Sequence, residues 1–451
     1  MTGVSYVRDD DPVNFSHVKT AGALLVHRWI NWAQVAPASQ PSQWDPTDPA
    51  DPHYDWHVID SWVAGAVRAG LVPMLQVFGA PAWAQGCLPP GPLEEAPCSV
   101  DPSALAAFAQ AAARRYSGTF GGLPRVRFWQ AENEPNMGLF FQPQFKGRRL
   151  VSPGEYRRLL NAFSTAVKAV DPTDFVVAAG LAPVGGRAAA VAPLRFARQL
   201  LCMAGRRDPH PTQGSCEGGL RFDAFDIHPY TTGGPRHKGP GDDVELGDLD
   251  ELQELLHAAD QAGRIHGLEP QTPLWITEFS WDSKPPDPGG LPLRIGGRWV
   301  AEALYMAWKA GVTRFFWFTI RDDVSTPAQP FSATYQSGLY FRGAEPADDR
   351  PKRVMYAFRF PFVAYSRGSG FFFWGRTPTS DGGSVAIETK QREGWQRSFV
   401  AHADRHGIFT GVVHGLYGQR EKGAVRARYR GEASLAFSLK RVREFHQPPF
   451  G

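Results

Sequence analysis

The stretch RVRFWQAENEPNM, Arg125 to Met137, decides the fold. It begins as a strand that alternates basic and apolar residues, runs into Glu132, Asn133 and Glu134, and is stopped by Pro135. Proline cannot continue a β-ladder, so the carboxylates arrive at the C-terminal end of the strand, where it meets a surface. The same texture extends in both directions. GVSYV, ALLVHRW and LVPMLQVF precede it as strand-like runs; FVVAAG, RFDAFDIH, PLWITE and TRFFWFT follow. Amphipathic helical runs lie between them. DPSALAAFAQAAARRY offers Asp101 as N-cap and Pro102 at the first helical position. SPGEYRRLLNAFSTAVKAV offers a capping box, Ser152 with Glu155. DLDELQELLHAADQAGRIHG ends on Gly267 at a C-cap position. A last helical run, RPKRVMYAFRF, follows the eighth strand.

Strand–helix units repeated in this way predict an α/β fold, a (β/α)8 TIM barrel over residues 1–360. A doubly wound open sheet would need a glycine-rich dinucleotide turn after an early strand, and the sequence has none. After about residue 360 the runs are short and alternating, with Gly, Asp and Ser turns between them. They predict a β-sandwich of the immunoglobulin or fibronectin kind over residues 361–451. Its expected role is to brace the barrel. Trp374, Trp395 and Tyr417 leave open a sugar-binding role for it. The long connections, residues 36–56, 81–100, 204–221 and 281–295, mostly follow strands, on the face where a barrel builds its site.

Composition narrows the functional classes. The net charge of +3, with no Lys/Arg run, gives no nucleic-acid footprint. No apolar run is long enough to span a bilayer. The start, MTGVSYVRDD, lacks the features of a signal peptide. The four cysteines fall as two local pairs in Pro- and Gly-rich sequence, Cys87 with Cys98 and Cys202 with Cys216. Both read as disulfides of an oxidising compartment, so the expectation is a secreted protein whose signal peptide has been removed. Zinc is disfavoured: neither pair has zinc-ligand spacing, and HExxH is absent.

The seventh strand ends in a second carboxylate, Glu278, among Trp275, Ile276 and Phe279, where an ionisable group is costly unless paired or functional. Strands four and seven stand on opposite sides of a barrel mouth, so their terminal carboxylates face each other. Glycoside hydrolysis needs such a pair, one to protonate the leaving oxygen and one to attack or to activate water.

At these residues the chain resembles a known group. ENEPN on the fourth strand and ITEFS on the seventh look like the clan A glycoside hydrolases, most of all family 39 and related bacterial cellulase- or xylosidase-like enzymes. WINWAQVAP, FGAPAWA, FDIHPY and FFWFT extend the resemblance around the barrel, and it continues into a small terminal β-domain. It implies Glu134 as acid/base, Glu278 as nucleophile and Asn133 as the residue that binds the sugar 2-hydroxyl. Glu132 is then a structural carboxylate. His228 and Tyr230 would line the site beside the nucleophile, and Trp317 would form the floor under the reactive sugar. Trp83 and Trp32 are further candidate walls.

Relatives commonly carry an arginine on strand two that bonds the nucleophile. His27 stands where it would be placed, with Arg28 beside it, so either His27 substitutes or the strand is shifted by one residue and Arg28 binds. The implied activity is retaining hydrolysis, through a glycosyl–Glu278 intermediate, of β-D-glycosidic or α-L-arabinofuranosidic bonds. No metal or organic cofactor is required, and the partner is a carbohydrate. Long loops favour exo action; an endo-acting glycanase or a non-catalytic carbohydrate-binding barrel are the alternatives.

Overall fold

In the computed structural model eight parallel strands close into a barrel: β1 (Thr2–Ser5), β2 (Leu25–Asn31), β3 (Val72–Phe78), β4 (Phe128–Ala131), β5 (Phe175–Leu181), β6 (Ala224–Ile227), β7 (Leu274–Ile276) and β8 (Val312–Phe318). Each is followed by a main helix: α1 (Pro12–Thr20), α2 (His57–Arg68), α3 (Pro102–Arg115), α4 (Ser152–Val170), α5 (Pro193–Leu200), α6 (Leu249–Gln261), α7 (Leu293–Lys309) and α8 (Arg353–Arg359). The structure describes residues 1–87, 96–186, 190–212, 219–414 and 423–450.

Side chains alternate across each strand. The inward ones fill the barrel in layers. Leu25, Met74, Phe128, Phe175, Val177, Ala224, Trp275 and Phe316 form an apolar plug. Two residues further along their strands stand His27, Gln76, Gln130, Asp226 and Thr277, a polar layer that is fully buried. The mouth lies one step above. The outward residues, among them Val26, Leu75, Trp129, Val176, Ile276 and Trp317, pack under the helices. Burial on both faces explains why these strands read as continuous apolar runs.

Asp101 caps α3, accepting from the Ser103 amide at 2.8 Å. The capping box expected at Ser152 does not form. The N-cap of α4 is Val151, and the Ser152 hydroxyl donates instead to Gln144 Oε1 at 2.7 Å. Gly267 is not a C-cap either: α6 ends at Gln261, and Gly263, with φ of +65°, makes the turn. Gly267 serves a close approach, since a Cβ there would come within 2.5 Å of the Phe222 carbonyl.

The remaining chain forms two antiparallel sheets. β9 (Phe362–Arg367), β10 (Gly370–Arg376) and β13 (Ile408–Val413) make one. β11 (Gly383–Gln391), β12 (Gly394–Ala403), β14 (Ala424–Tyr429), β15 (Glu432–Ala433) and β16 (Phe437–Ser438) make the other. Trp374 is buried, packed 5.6 Å from both Tyr305 and Trp308 of α7. Arg376 donates to Thr2 Oγ1 of β1 at 2.8 Å and to the Phe358 carbonyl at 3.0 Å. The sandwich is thus fastened to the barrel, and Trp374 is spent on that joint. Tyr417 lies outside the described residues. Of the alternating run SLAFSLKRV only Phe437–Ser438 forms a strand, β16; from Leu439 the chain turns back to the barrel mouth.

Cys87 and Cys98 form a disulfide. Cys216, the expected partner of Cys202, lies outside the described residues. Among those residues no helix is long and apolar enough to cross a membrane, and no cluster of metal-ligating side chains occurs.

Candidate active site

Beyond β4 the backbone leaves the strand abruptly. Glu132 and Glu134 both have positive φ, +62° and +41°. Such conformations strain a residue with a Cβ by roughly 1–3 kcal/mol, and they persist where the surroundings enforce them. Here the Glu134 amide donates to the Gly180 carbonyl at 3.1 Å. Asn136, five residues beyond the strand, bonds both the amide and the carbonyl of Ala182 through its side chain, at 2.9 and 3.0 Å. The end of β5 therefore clamps the loop that carries Glu134.

Glu134, Glu278 and His228 meet at one atom. His228 Nδ1 is 2.9 Å from Glu134 Oε1 and 3.8 Å from Glu278 Oε2. On the other side of the ring, Nε2 is 3.0 Å from Thr277 Oγ1 and 3.5 Å from Asp226 Oδ2. The Thr277 hydroxyl gives its single proton to Asp226 Oδ2, so toward the ring it can only accept. Nε2 therefore carries a hydrogen. Nδ1 faces the carboxyls of Glu134 and Glu278, and three carboxyls around one ring favour its protonated form. Burial opposes that charge, but Glu278, Asp226 and Glu134 outweigh it and raise the His228 pKa well above its ordinary value. The backbone opposite makes room: a Cβ on Gly180 would sit 3.1 Å from His228 Nε2 and 2.8 Å from Gln130 Nε2.

Burial pushes Glu278 up to about 7, with Glu134 and Asp226 adding to the rise; His228 and the Tyr230 hydroxyl pull the other way. Tyr230 donates to Glu278 Oε2 at 3.2 Å. Glu278 Oε1 is buried without a hydrogen-bond partner. One oxygen is held and the other is left open.

Glu132 is 1% exposed, and neither of its carboxyl oxygens has a partner. Burial pushes it up to about 8, so at neutral pH it is a neutral acid with no bond to the pair. Asn133 is buried at the mouth, its Oδ1 accepting from Gln76 Nε2 at 3.3 Å.

Three expected sugar contacts are not brought to the site. Trp317 faces out of the barrel, with Nε1 donating to the Ser337 carbonyl at 2.7 Å and its ring packed near Phe358 of α8. Phe318, one residue on, takes the inward place. It stacks on Tyr6 at 5.1 Å and meets Tyr335 edge-on at 4.9 Å. Trp32 is core, stacked on Phe108 of α3 at 5.3 Å. Trp83 packs edge-on against Trp32 and Trp44, and its Nε1 donates to the Pro37 carbonyl at 2.8 Å.

Strand two is not shifted. His27 points inward below the mouth, with no partner on either ring nitrogen, and burial pushes it down to about 3, so it is neutral. Arg28 points out and donates to the Val7 carbonyl at 3.4 Å. It reaches neither carboxylate; with Tyr6, Trp29, Asn31, Gln34 and Phe78 it borders a cavity of about 450 Å³.

Sequence reading missed several residues here. Asp226 lies two positions before His228, and strand alternation puts both on one face, so its signal was present in FDIHPY. Thr277 and Gln130 could have been found in the same way. Tyr335 and Phe450 sit in segments without periodic pattern, while Tyr6 stands directly after β1, within GVSYV.

No family model matches the sequence, and no curated protein does. Solved structures do match. The chain is similar to a family 39 glycoside hydrolase from Bacteroides cellulosilyticus at 16% identity, covering 92% of this chain and 79% of that one, with a TM-score of 0.53. A monomeric β-xylosidase from Caulobacter crescentus matches at 16% identity over 86% of this chain and 82% of its own, TM-score 0.52. A family 39 enzyme from Xanthomonas axonopodis pv. citri matches at 14% identity over 91% of both chains, TM-score 0.52. At these identities the likeness establishes the fold: a TIM barrel with a β-rich terminal domain.

Proposed function

We propose that the chain is a retaining, exo-acting glycoside hydrolase, with Glu278 as nucleophile and Glu134 as acid/base. The observation that carries this reading is the convergence of the two carboxyls on His228 Nδ1 at the mouth of the barrel. Two carboxyls that share one partner at a barrel mouth provide the acid and the nucleophile that glycoside hydrolysis needs, and the resemblance to family 39 favours the retaining course. The fold shared with family 39 glycoside hydrolases and a β-xylosidase supports the same class.

In the first step Glu278 Oε1 attacks the anomeric carbon while Glu134 delivers a proton to the departing glycosidic oxygen. That bond breaks, and a glycosyl ester forms on Glu278. In the second step Glu134 takes a proton from water, the water oxygen attacks the anomeric carbon, and Glu278 leaves as carboxylate. His228 serves both steps. Its Nδ1, 2.9 Å from Glu134 Oε1, orients the acid/base, and its charge, kept throughout, favours the ionised form of Glu278. Asn133 would bond the 2-hydroxyl. The Cys87–Cys98 disulfide supports a secreted enzyme.

The test is hydrolysis of a panel of nitrophenyl glycosides (β-xyloside, β-glucoside, β-galactoside, β-mannoside and α-L-arabinofuranoside). The anomeric form of the first product is read by NMR. Cleavage with retained configuration is expected. Inverted configuration contradicts the mechanism, and silence of the wild type on every glycoside contradicts the exo-hydrolase.

The pH profile carries a second expectation. Glu278 must be ionised to attack, and its ionised fraction falls as pH drops through about 7. The acid limb of kcat/KM should therefore lie well above that of an ordinary glutamate, which titrates at about 4.3. Tyr230→Phe removes a donor to the carboxylate and should move that limb up further, by about half a unit to one unit. A limb between pH 4 and 5 that ignores Tyr230→Phe would contradict the assignment.

A further inference from the structure

We propose that the segment 445–450 is a built wall of the substrate pocket, and that Phe450 is a specificity-determining residue restricting the mouth to short substrates. This rests on the hydrolase reading above.

The segment has no helix or strand, yet it is tied to the loops that carry the catalytic groups. The Gln447 amide donates to the Thr232 carbonyl at 3.0 Å, two residues beyond Tyr230. The Asp282 amide donates to the Pro449 carbonyl at 2.6 Å, four residues beyond Glu278. Gln447 Nε2 donates to the Gly289 carbonyl at 2.8 Å. Upstream, Phe445 packs 5.1 Å from Trp299 of α7. Glu444 lies so near Gly234 that a Cβ there would meet its carboxyl carbon at 2.7 Å. The chain after β16 is thus fixed across the loops that follow β6 and β7.

These ties deliver the Phe450 ring to the site. It lies 5.0 Å from Tyr230, whose hydroxyl holds Glu278, 5.2 Å from Tyr335 and 6.4 Å from Phe318. Tyr335 feels the charges of Glu278 and Glu134: burial first, then these carboxylates and Tyr6, push its hydroxyl up to about 12. Phe450 therefore closes an aromatic arc of Tyr230, Tyr335, Phe318 and Tyr6 beside the two carboxyls. Its ring is only part-buried, and its named ring neighbours are site aromatics rather than aliphatic core. Aromatic faces of this kind take the apolar C–H face of a sugar. A segment strapped over one side of the mouth also denies a long glycan its path on that side.

The experiment compares full-length wild type with Phe450→Ala, Phe450→Tyr and Gln447→Ala, on a nitrophenyl glycoside that the wild type cleaves and on a tetrasaccharide of the same sugar. Phe450→Ala should raise KM for the nitrophenyl glycoside about tenfold while kcat stays within about threefold, the pattern of lost binding with chemistry intact. Its kcat/KM on the tetrasaccharide, relative to the small glycoside, should rise by about tenfold. Gln447→Ala should move both in the same direction by less, and Phe450→Tyr, which keeps the ring, should fall between wild type and Phe450→Ala. Unchanged KM and unchanged chain-length ratio in a folded Phe450→Ala overturn the inference. So does a fall in kcat together with the melting temperature at constant ratio, which marks a merely structural segment. If Phe450→Ala does not fold, Phe450→Leu decides by the same criteria. A wild type inert on the whole panel removes the hydrolase reading and this inference with it; an active wild type with an indifferent Phe450→Ala removes this inference alone.

Discussion

Glu278→Ala should lower kcat by about 10⁴-fold or more, with the fold and the melting temperature preserved. The variant loses Glu278 Oε1, which is buried, unbonded and open to attack the substrate. Nothing nearby can replace it. Glu132 is neutral, buried and bonded to neither partner, and Glu134 is needed as the acid. Stability should not suffer, because the buried carboxylate is itself an expense to the folded state: burial pushes Glu278 up to about 7. By linkage a carboxyl whose pKa rises on folding destabilises the fold at pH above its unfolded value, increasingly as pH rises through both values. Removing it should leave the protein as stable as the wild type at neutral pH, or more so. Kinetics and a thermal melt on the same preparation check both halves.

Glu134→Ala should show a loss that depends on the leaving group. On a substrate whose leaving oxygen must be protonated, kcat/KM should fall by about 10²–10⁴-fold, the usual worth of a placed general acid. A dinitrophenol departs unaided, so for such a glycoside glycosylation should be nearly unaffected and turnover limited by hydrolysis of the ester. Azide needs no base to attack that ester and should restore turnover, giving a glycosyl azide of retained configuration. Equal losses for all leaving groups, without azide rescue, would move the acid role to another residue. The geometry also separates Glu134 from Glu132: Glu134 is hydrogen-bonded to His228, while Glu132 has no partner.

The barrel and its carboxylate pair could be read from the sequence because both rest on local signals. Each strand–helix unit carries its own period, and Glu134 and Glu278 each close a strand with a change of chemistry. Register inside an aromatic run carries no such signal. Phe315, Phe316, Trp317 and Phe318 are apolar on both faces, as a strand covered inside and outside must be, and a one-residue difference exchanges the two faces. The resemblance therefore puts Trp317 on the inward face, which Phe318 occupies. The same rule answers the question at strand two: the inward series Leu25, His27, Trp29 leaves Arg28 outside. Trp32 and Trp83 each lie in a short helical turn within a long connection, where packing decides orientation. Phe450 could not be found at all, since its place depends on contacts with residues more than a hundred positions earlier.

The account stands most directly on a covalent bond at Glu278. Incubating the enzyme with a 2-deoxy-2-fluoro glycoside bearing a dinitrophenyl leaving group, for the sugar it cleaves, slows the second step more than the first and lets the ester accumulate. Peptide mass spectrometry should then find one added fluorosugar on the peptide that contains Glu278, with activity returning as the label is lost. A label on Glu134 or Glu132, or inverted product with no label anywhere, would contradict the account.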